Sequence, residues 1–212
     1  MLVLGIDPGT ASTGFGLAFG EGSRLRAIDQ GLIATRPGVA PERRLAEIHA
    51  RICELLDRHR PDALAIEELY FGVNVQTAFA VGQARGVVLL AAGQRGIPAR
   101  SYTPQQVKSA VCGSGRAPKE QVGRMVARLL ALDAVPTPDH VADALAVAIC
   151  DLNAAPLTRT VAVAADRAGQ PGARGARSGD PGVRVGDTAA RGVSPRCREV
   201  PDALAALARG ER

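Results

Sequence analysis

Up to about residue 157 the apolar and polar positions change period several times, and each change predicts an element. The opening run Leu2-Val3-Leu4-Gly5-Ile6 is short and continuous, the pattern of a buried strand, and Asp7-Pro8-Gly9-Thr10 follows it at once as a turn signal. Stretches 14–20 and 25–33 read as two further strands joined by Gly-rich and polar turns, so the chain opens as an antiparallel meander. Leu45, Ile48, Ile52, Leu55 and Leu56 then recur at helical spacing, predicting an amphipathic helix that stops near His59-Arg60-Pro61. A second continuous run, 63–66, lacks alternation and reads as a central strand that ends on Glu67. A long helix over about 74–95 mixes small residues (Ala78, Gly82, Gly86, Ala91) with Phe79, Val81, Val87 and Leu90, which permits close helix contact; a short strand around 97–102 follows. Two more helices complete the pattern. One starts at Lys119 and carries Val122, Met125, Val126, Leu129 and Leu130; the other runs from Pro138 to about Leu152, burying Val141, Leu145, Ile149 and Leu152.

Three meandering strands followed by alternating helix and strand give the order of a ribonuclease-H-like α/β fold, a mixed five-stranded sheet flanked by helices. Composition shifts near residue 157. Residues 1–157 read as that domain, whereas over 158–212 Gly, Pro, Arg, Ala and Asp dominate and aromatics are absent, so a disordered tail is expected there. Only 202–209, with Leu204 and Leu207, could form a brief helix.

The formal charge of +5 and isoelectric point near 9.5 suggest a polyanionic partner. Residues 159–212 hold ten Arg against six acids, however, so the remainder is close to neutral and a nucleic-acid reading must rest on local positions. Lys108 and Lys119, the two lysines of the chain, are such positions. Lys119 also follows the Gly113-Ser114-Gly115 loop at the start of a helix, where free backbone amides favour phosphate. Cys53, Cys112, Cys150 and Cys197 show neither metal-ligand spacing nor a disulfide pattern, which favours reduced thiols in a cytoplasmic protein. Neither an export signal nor a membrane span is indicated.

Three acids stand out against this background. Asp7 and Glu67 each close a strand, and Asp143 sits in an otherwise apolar helix. Each has an ordinary reading: an Asp before Pro-Gly forms turns, Glu67-Glu68 could be a solvated pair, and Asp143 among Ala142, Ala144 and Ala146 could lie on an exposed helix edge. Taken together, the ordered set fits the acidic centre of the expected fold, because clustered carboxylates bind hard divalent cations that can drive phosphodiester cleavage.

The segments Gly5-Ile6-Asp7-Pro8-Gly9-Thr10 with Thr13-Gly14, Ala65-Ile66-Glu67-Glu68, Gly82-Gln83-Ala84-Arg85-Gly86, Gln106-Val107-Lys108 and Ala142-Asp143-Ala144-Leu145-Ala146 resemble, in order and separation, those of the RuvC family of bacterial Holliday junction resolvases over roughly residues 1–155. The resemblance implies a homodimeric, metal-dependent endonuclease that nicks four-way DNA junctions symmetrically during recombination and repair. Implied with it are Mg2+, with Mn2+ as an alternative and two ions per site, and the branch-migration proteins RuvA and RuvB as partners. The metal ligands would be Asp7, Glu67 and Asp143. Where the family commonly has a fourth acid this chain has His140, expected as ligand or proton acceptor, while Asp139 suits a helix start after Thr137-Pro138. Arg85, Lys108 and Lys119 would contact DNA, and Tyr70 and Phe71 would insert an aromatic beside the junction point.

Three rival readings fit parts of the same pattern. An actin-like or sugar-kinase ATPase shares an Asp7-Pro8-Gly9-Thr10-like loop but needs a second lobe that this length does not provide. A binder of branched DNA that does not cut would have no use for the three acids. A nuclease of the same fold acting on RNA or another branched DNA would differ only in substrate.

Overall fold

The sheet follows directly from the strand patterns. In the computed structural model, which describes residues 1–68 and 75–168, β1 (Leu2–Asp7), β2 (Ser12–Glu21) and β3 (Arg24–Ala34) form the antiparallel meander, with Asp7 opposite Gly14. After α1 (Pro41–His59), β4 (Ala63–Glu67) pairs with β1 in parallel, Ile6 opposite Ile66, so Asp7 and Glu67 end neighbouring strands on the same side of the sheet's rim. α2 (Val75–Gln94) then leads to β5 (Ala99–Tyr102), parallel to β4 with Glu67 opposite Tyr102. The order β3-β2-β1-β4-β5 is the expected mixed, five-stranded sheet.

Strand alternation separates two cores. Leu4, Ile6, Leu17, Leu64 and Ile66 point to one face and pack with Ile48, Ile52 and Leu56 of α1 and Ala84, Val88 and Ala91 of α2. Val3, Ala18 and Ala65 point to the other, toward three helices, α3 (Pro104–Cys112), α4 (Lys119–Leu129) and α5 (Asp139–Ala168). Because side chains alternate, Asp7 and Glu67 share the α5 side with Val3 and Ala65.

Two features depart from expectation. α3 was unanticipated, although Thr103-Pro104-Gln105-Gln106 carries its start signal: the Thr103 side chain accepts from the Gln106 backbone N–H, and the Gln106 side chain accepts from that of Thr103. α5 begins at Asp139, with the Pro138 carbonyl accepting from the Val141 N–H, and continues past the predicted end near Leu152 to Ala168. It therefore crosses the compositional boundary at 157, and residues 158–168 are helical rather than disordered. It passes Pro156, which is unfavourable inside a helix, but Ala154, Ala155, Ala162, Ala164 and Ala165 are the strongest helix formers. The first compact unit spans Met1–Gln170; the second, Pro171–Arg212, with the brief helix expected at 202–209, lies outside the described residues.

α5 is buried nearly all round, not along one stripe: between 141 and 152 every position is buried except Asp143. Val107 and Val111 of α3 and Val122 and Val126 of α4 cover its outer side. Its inner side lies directly on β1 and β2 because glycine replaces a side chain at the crossing. A Cβ on Gly5 would collide with the Ala144 carbonyl oxygen, and one on Gly14 with that of His140. Among the described residues no helix is long and apolar enough to cross a membrane, and Cys53, Cys112 and Cys150 are free thiols.

Candidate active site

Asp7 leaves β1 into a turn that is tied down at several points. The buried Thr13 hydroxyl donates to the Gly9 carbonyl at 2.7 Å and accepts from the Gly9 N–H at 3.3 Å. Thr35 donates to the Thr10 carbonyl at 2.6 Å, and Arg44 of α1 donates to the Thr35 hydroxyl at 2.7 Å. The turn-former reading of Asp7 is thus true of the backbone, yet the carboxylate is free of the turn. It meets the His140 ring at 2.7 Å, Nδ1 to Oδ2. Asp7 and His140, far apart in sequence, are joined because α5 rests on Gly14.

Asp143 is the one position of the buried α5 stretch that faces the rim, which disposes of the exposed-helix-edge reading. Lys119, the first residue of α4, reaches it at 3.1 Å and Asp139 at 3.3 Å. Asp139 therefore pairs with a lysine as well as standing at the helix start. Glu67 and Asp143 line a cavity of about 200 Å³ together with Lys108 and Lys119, over an apolar floor that includes Val107 and Val122. Arg85 does not reach into this cavity. Its Nη1 donates to the Glu67 carbonyl at 2.7 Å and its Nη2 to the Ser101 hydroxyl. Glu68 is exposed, and Tyr70 and Phe71 lie outside the described residues.

Electrostatics bind the acids into one unit. Burial, reinforced by the charges of Asp7 and Asp143, pushes the Glu67 carboxyl up to about 7, against a weaker opposing pull from Lys119 and Lys108. Burial also raises Asp7; the His140 hydrogen bond and charge oppose this and the Asp143 charge adds to it. For Lys119, burial disfavours the ammonium, but the bonds and charges of Asp143 and Asp139 outweigh it and raise its pKa. The charges of Asp7 and Asp143 thus act on Glu67, and the Lys119 ammonium lies against Asp143 and Asp139.

A hard divalent ion suits that donor set, since carboxylate oxygens are its preferred ligands and excess negative charge is what it would relieve. Among the described residues, no three acidic, imidazole or thiol groups stand close enough to ligate one ion as they are placed. Lys119 engages Asp143 and Asp139, and the His140 ring engages Asp7. The residues fit a metal centre in chemistry and convergence, with those two side chains engaging its carboxylates.

Of the residues singled out from the sequence, Asp7 meets His140, and Glu67, Asp143, Lys108 and Lys119 line one cavity. The sequence did not show the braces: Thr13, Thr35 and Arg44 behind the Asp7 turn, and the Arg85 contact behind Glu67. Thr13-Gly14 was visible as a motif, but only the fold shows the hydroxyl turned back onto Gly9.

A family model described as "Crossover junction endodeoxyribonuclease RuvC" matches residues 3–151. A protein of Moorella thermoacetica with the same description is 56% identical over 156 residues, covering 74% of this chain and 93% of its own. The solved structure of Thermus thermophilus RuvC superposes with a TM-score of 0.70 at 41% identity, covering 74% of this chain and 97% of that one. The same protein in complex with a Holliday junction substrate gives 0.69 at 39% identity, covering 74% and 96%.

Proposed function

Because the chain belongs to the RuvC family of crossover junction endodeoxyribonucleases, we propose that it binds four-way DNA junctions and resolves them by paired, symmetric nicks in recombination and repair. The observation that supports this most is the meeting of Asp7, Glu67 and Asp143, from two strand ends and a buried helix, at one rim with His140, Lys108 and Lys119. A ribonuclease-H-like fold without cutting activity would not need to crowd carboxylates until burial and repulsion push one up to about 7.

Asp7, Glu67 and Asp143 would hold the metal, which we assign as Mg2+, or Mn2+, with two ions per site. A bound divalent ion supplies stabilisation of charge on the phosphoryl oxygens and a more acidic water. His140 has Nδ1 on Asp7, so its other ring nitrogen is placed to accept the proton of the attacking water or to join the ligands. Lys108 and Lys119 flank the cavity and grip phosphate, Lys119 with the added field of the α4 N-terminus. Tyr70 and Phe71, which follow β4 in sequence after Glu68 and Leu69, splay bases at the junction point, where stacking contributes about 1–3 kcal/mol per base.

Two like nicks across a two-fold junction require two related sites, hence a homodimer. α2 is our interface, since its outer side leaves Phe79 and Leu90 exposed. RuvA and RuvB are the partners the family suggests, and the cytoplasm the compartment.

Incubating the protein with a synthetic mobile four-way junction and Mg2+, then mapping the cuts, tests the reading; paired incisions on strands of like polarity are expected. Asp7→Asn should abolish them while junction binding survives, because charge is removed with little change of shape. Undiminished cutting by Asp7→Asn would refute the assignment.

A further inference from the structure

Glu67 depends for its position on β5, a four-residue edge strand paired only with β4. Short edge strands are weakly held, having hydrogen-bond partners along one side only. This one is anchored from both faces by charged groups. From the α2 side, Arg85 commits both terminal guanidinium nitrogens to protein, one to the Glu67 carbonyl at 2.7 Å and the other to the Ser101 hydroxyl. From the α5 side, Asp151 has no exposed surface, accepts from the Tyr102 hydroxyl at 2.7 Å and pairs with Arg100 at 2.9 Å.

Asp151 is an unexpected residue in that place. Its second oxygen, Oδ2, is buried with no hydrogen-bond partner, so the carboxylate is kept at a cost in stability. The residue it holds occupies a central position. Tyr102 lies opposite Glu67 in the β4–β5 register, and its carbonyl accepts from the Glu68 N–H at 2.8 Å. Thr103, next in the chain, caps α3, whose Lys108 lines the cavity with Glu67. A shift of Tyr102 would therefore move an acid and a lysine of the site together.

We propose that Arg85 and Asp151 form a two-sided clamp on β5 that sets the position of Glu67, acting as positioning residues rather than as contacts to DNA. The clamp rests on the metal-nuclease reading for its purpose and on the contacts above for its existence. It differs from the family resemblance, which gives Arg85 to DNA: the half-buried guanidinium is turned onto β4 and β5, with one N–H of each terminal nitrogen committed to the Glu67 carbonyl and the Ser101 hydroxyl.

The test uses the full chain with Arg85→Lys, Arg85→Ala, Tyr102→Phe and Asp151→Asn. Tyr102→Phe keeps the ring and removes one hydroxyl, so it carries the test if Asp151→Asn does not fold. Arg85→Ala and Tyr102→Phe should lower the single-turnover nicking rate on a four-way junction by about 10- to 100-fold, the usual effect of losing a residue behind a metal ligand. Junction Kd and the slope of log affinity against log salt should stay at wild-type values, and the rise in Tm on adding Mg2+ without DNA should shrink. Arg85→Lys, retaining charge but not the fork, should fall between wild type and Arg85→Ala. Wild-type nicking by Tyr102→Phe with an unchanged Mg2+ response overturns the clamp. So does an Arg85→Ala protein that binds junctions more weakly with a shallower salt slope, which would make Arg85 a phosphate contact. Failure of the wild-type protein to nick would count against the proposed function alone, because the Mg2+-dependent Tm reads the clamp without cutting.

Discussion

The two faces of the sheet are covered to very different degrees. On the α5 side the helix touches β1 and β2 backbone to backbone at Gly5 and Gly14, and α3 and α4 cover it so fully that Asp143 is the single unburied residue from 141 to 152. On the α1 and α2 side the inner packing is as dry, yet Phe79 is 71% and Leu90 55% exposed. One face uses close packing to hold Asp7, His140 and Asp143 in place; the other keeps apolar surface open, which we read as the seat of a second copy.

The sharpest way to break this contrast is Gly14→Ala. The new methyl would drive into the His140 carbonyl, costing about 1–3 kcal/mol as overpacking does, and displacing His140 from Asp7 should slow nicking about 100-fold. Urea unfolding and single-turnover rates check both; unchanged values would mean that the helix has slack.

Glu67 gives a somewhat smaller, pH-dependent effect. Its folded value of about 7 lies above the ordinary 4.5, so the folded state holds the proton more tightly and metal-free stability falls as pH rises from about 4.5 to 7. Glu67→Gln removes that loss. Its gain over wild type should be near zero at pH 4 and on the order of 2 kcal/mol above pH 7, given about 1.4 kcal/mol per unit and some solvent screening. Thermal unfolding in chelator at both pH values reads it.

On the opposite face, Phe79→Ser with Leu90→Ser should change monomer stability by no more than about 0.5 kcal/mol, as exposed substitutions do. Sedimentation at micromolar concentration should nevertheless shift from dimer to monomer. A wild-type monomer would remove the functional half of the comparison. Smallest is Lys108→Ala, expected to lower the salt slope of junction binding by about 1 while leaving the fold intact.

Much of this was legible from pattern. Continuous apolar runs identified β1 and β4 with their terminal acids, because a strand buried on both faces needs no alternation. Helical spacing identified α1, α4 and the start of α5. α3 escaped because it contributes only Val107 and Val111 to the core, too little periodicity to register, although its capping residues were plain. The full extent of α5 escaped because low hydrophobicity after 157 suggested disorder, whereas alanine favours helix without a core to pack on. At the rim, residue types singled out the acids, His140 and the lysines. Which lysine pairs with which acid, and that Arg85 turns to Glu67, depends on side-chain directions that only the assembled sheet and helices determine. Asp151 left a faint trace, an acid between Ile149 and Leu152, both predicted buried.

At the far end of the sheet from Glu67, α1 stops at Arg60, whose backbone adopts the left-handed conformation at φ 46° while its N–H closes onto the Leu56 carbonyl. A side chain resists that twist, and glycine does not. Arg60→Gly is thus a foothold for engineering: about 0.5–1 kcal/mol of added thermal robustness at a helix end remote from Asp7, Glu67 and Asp143.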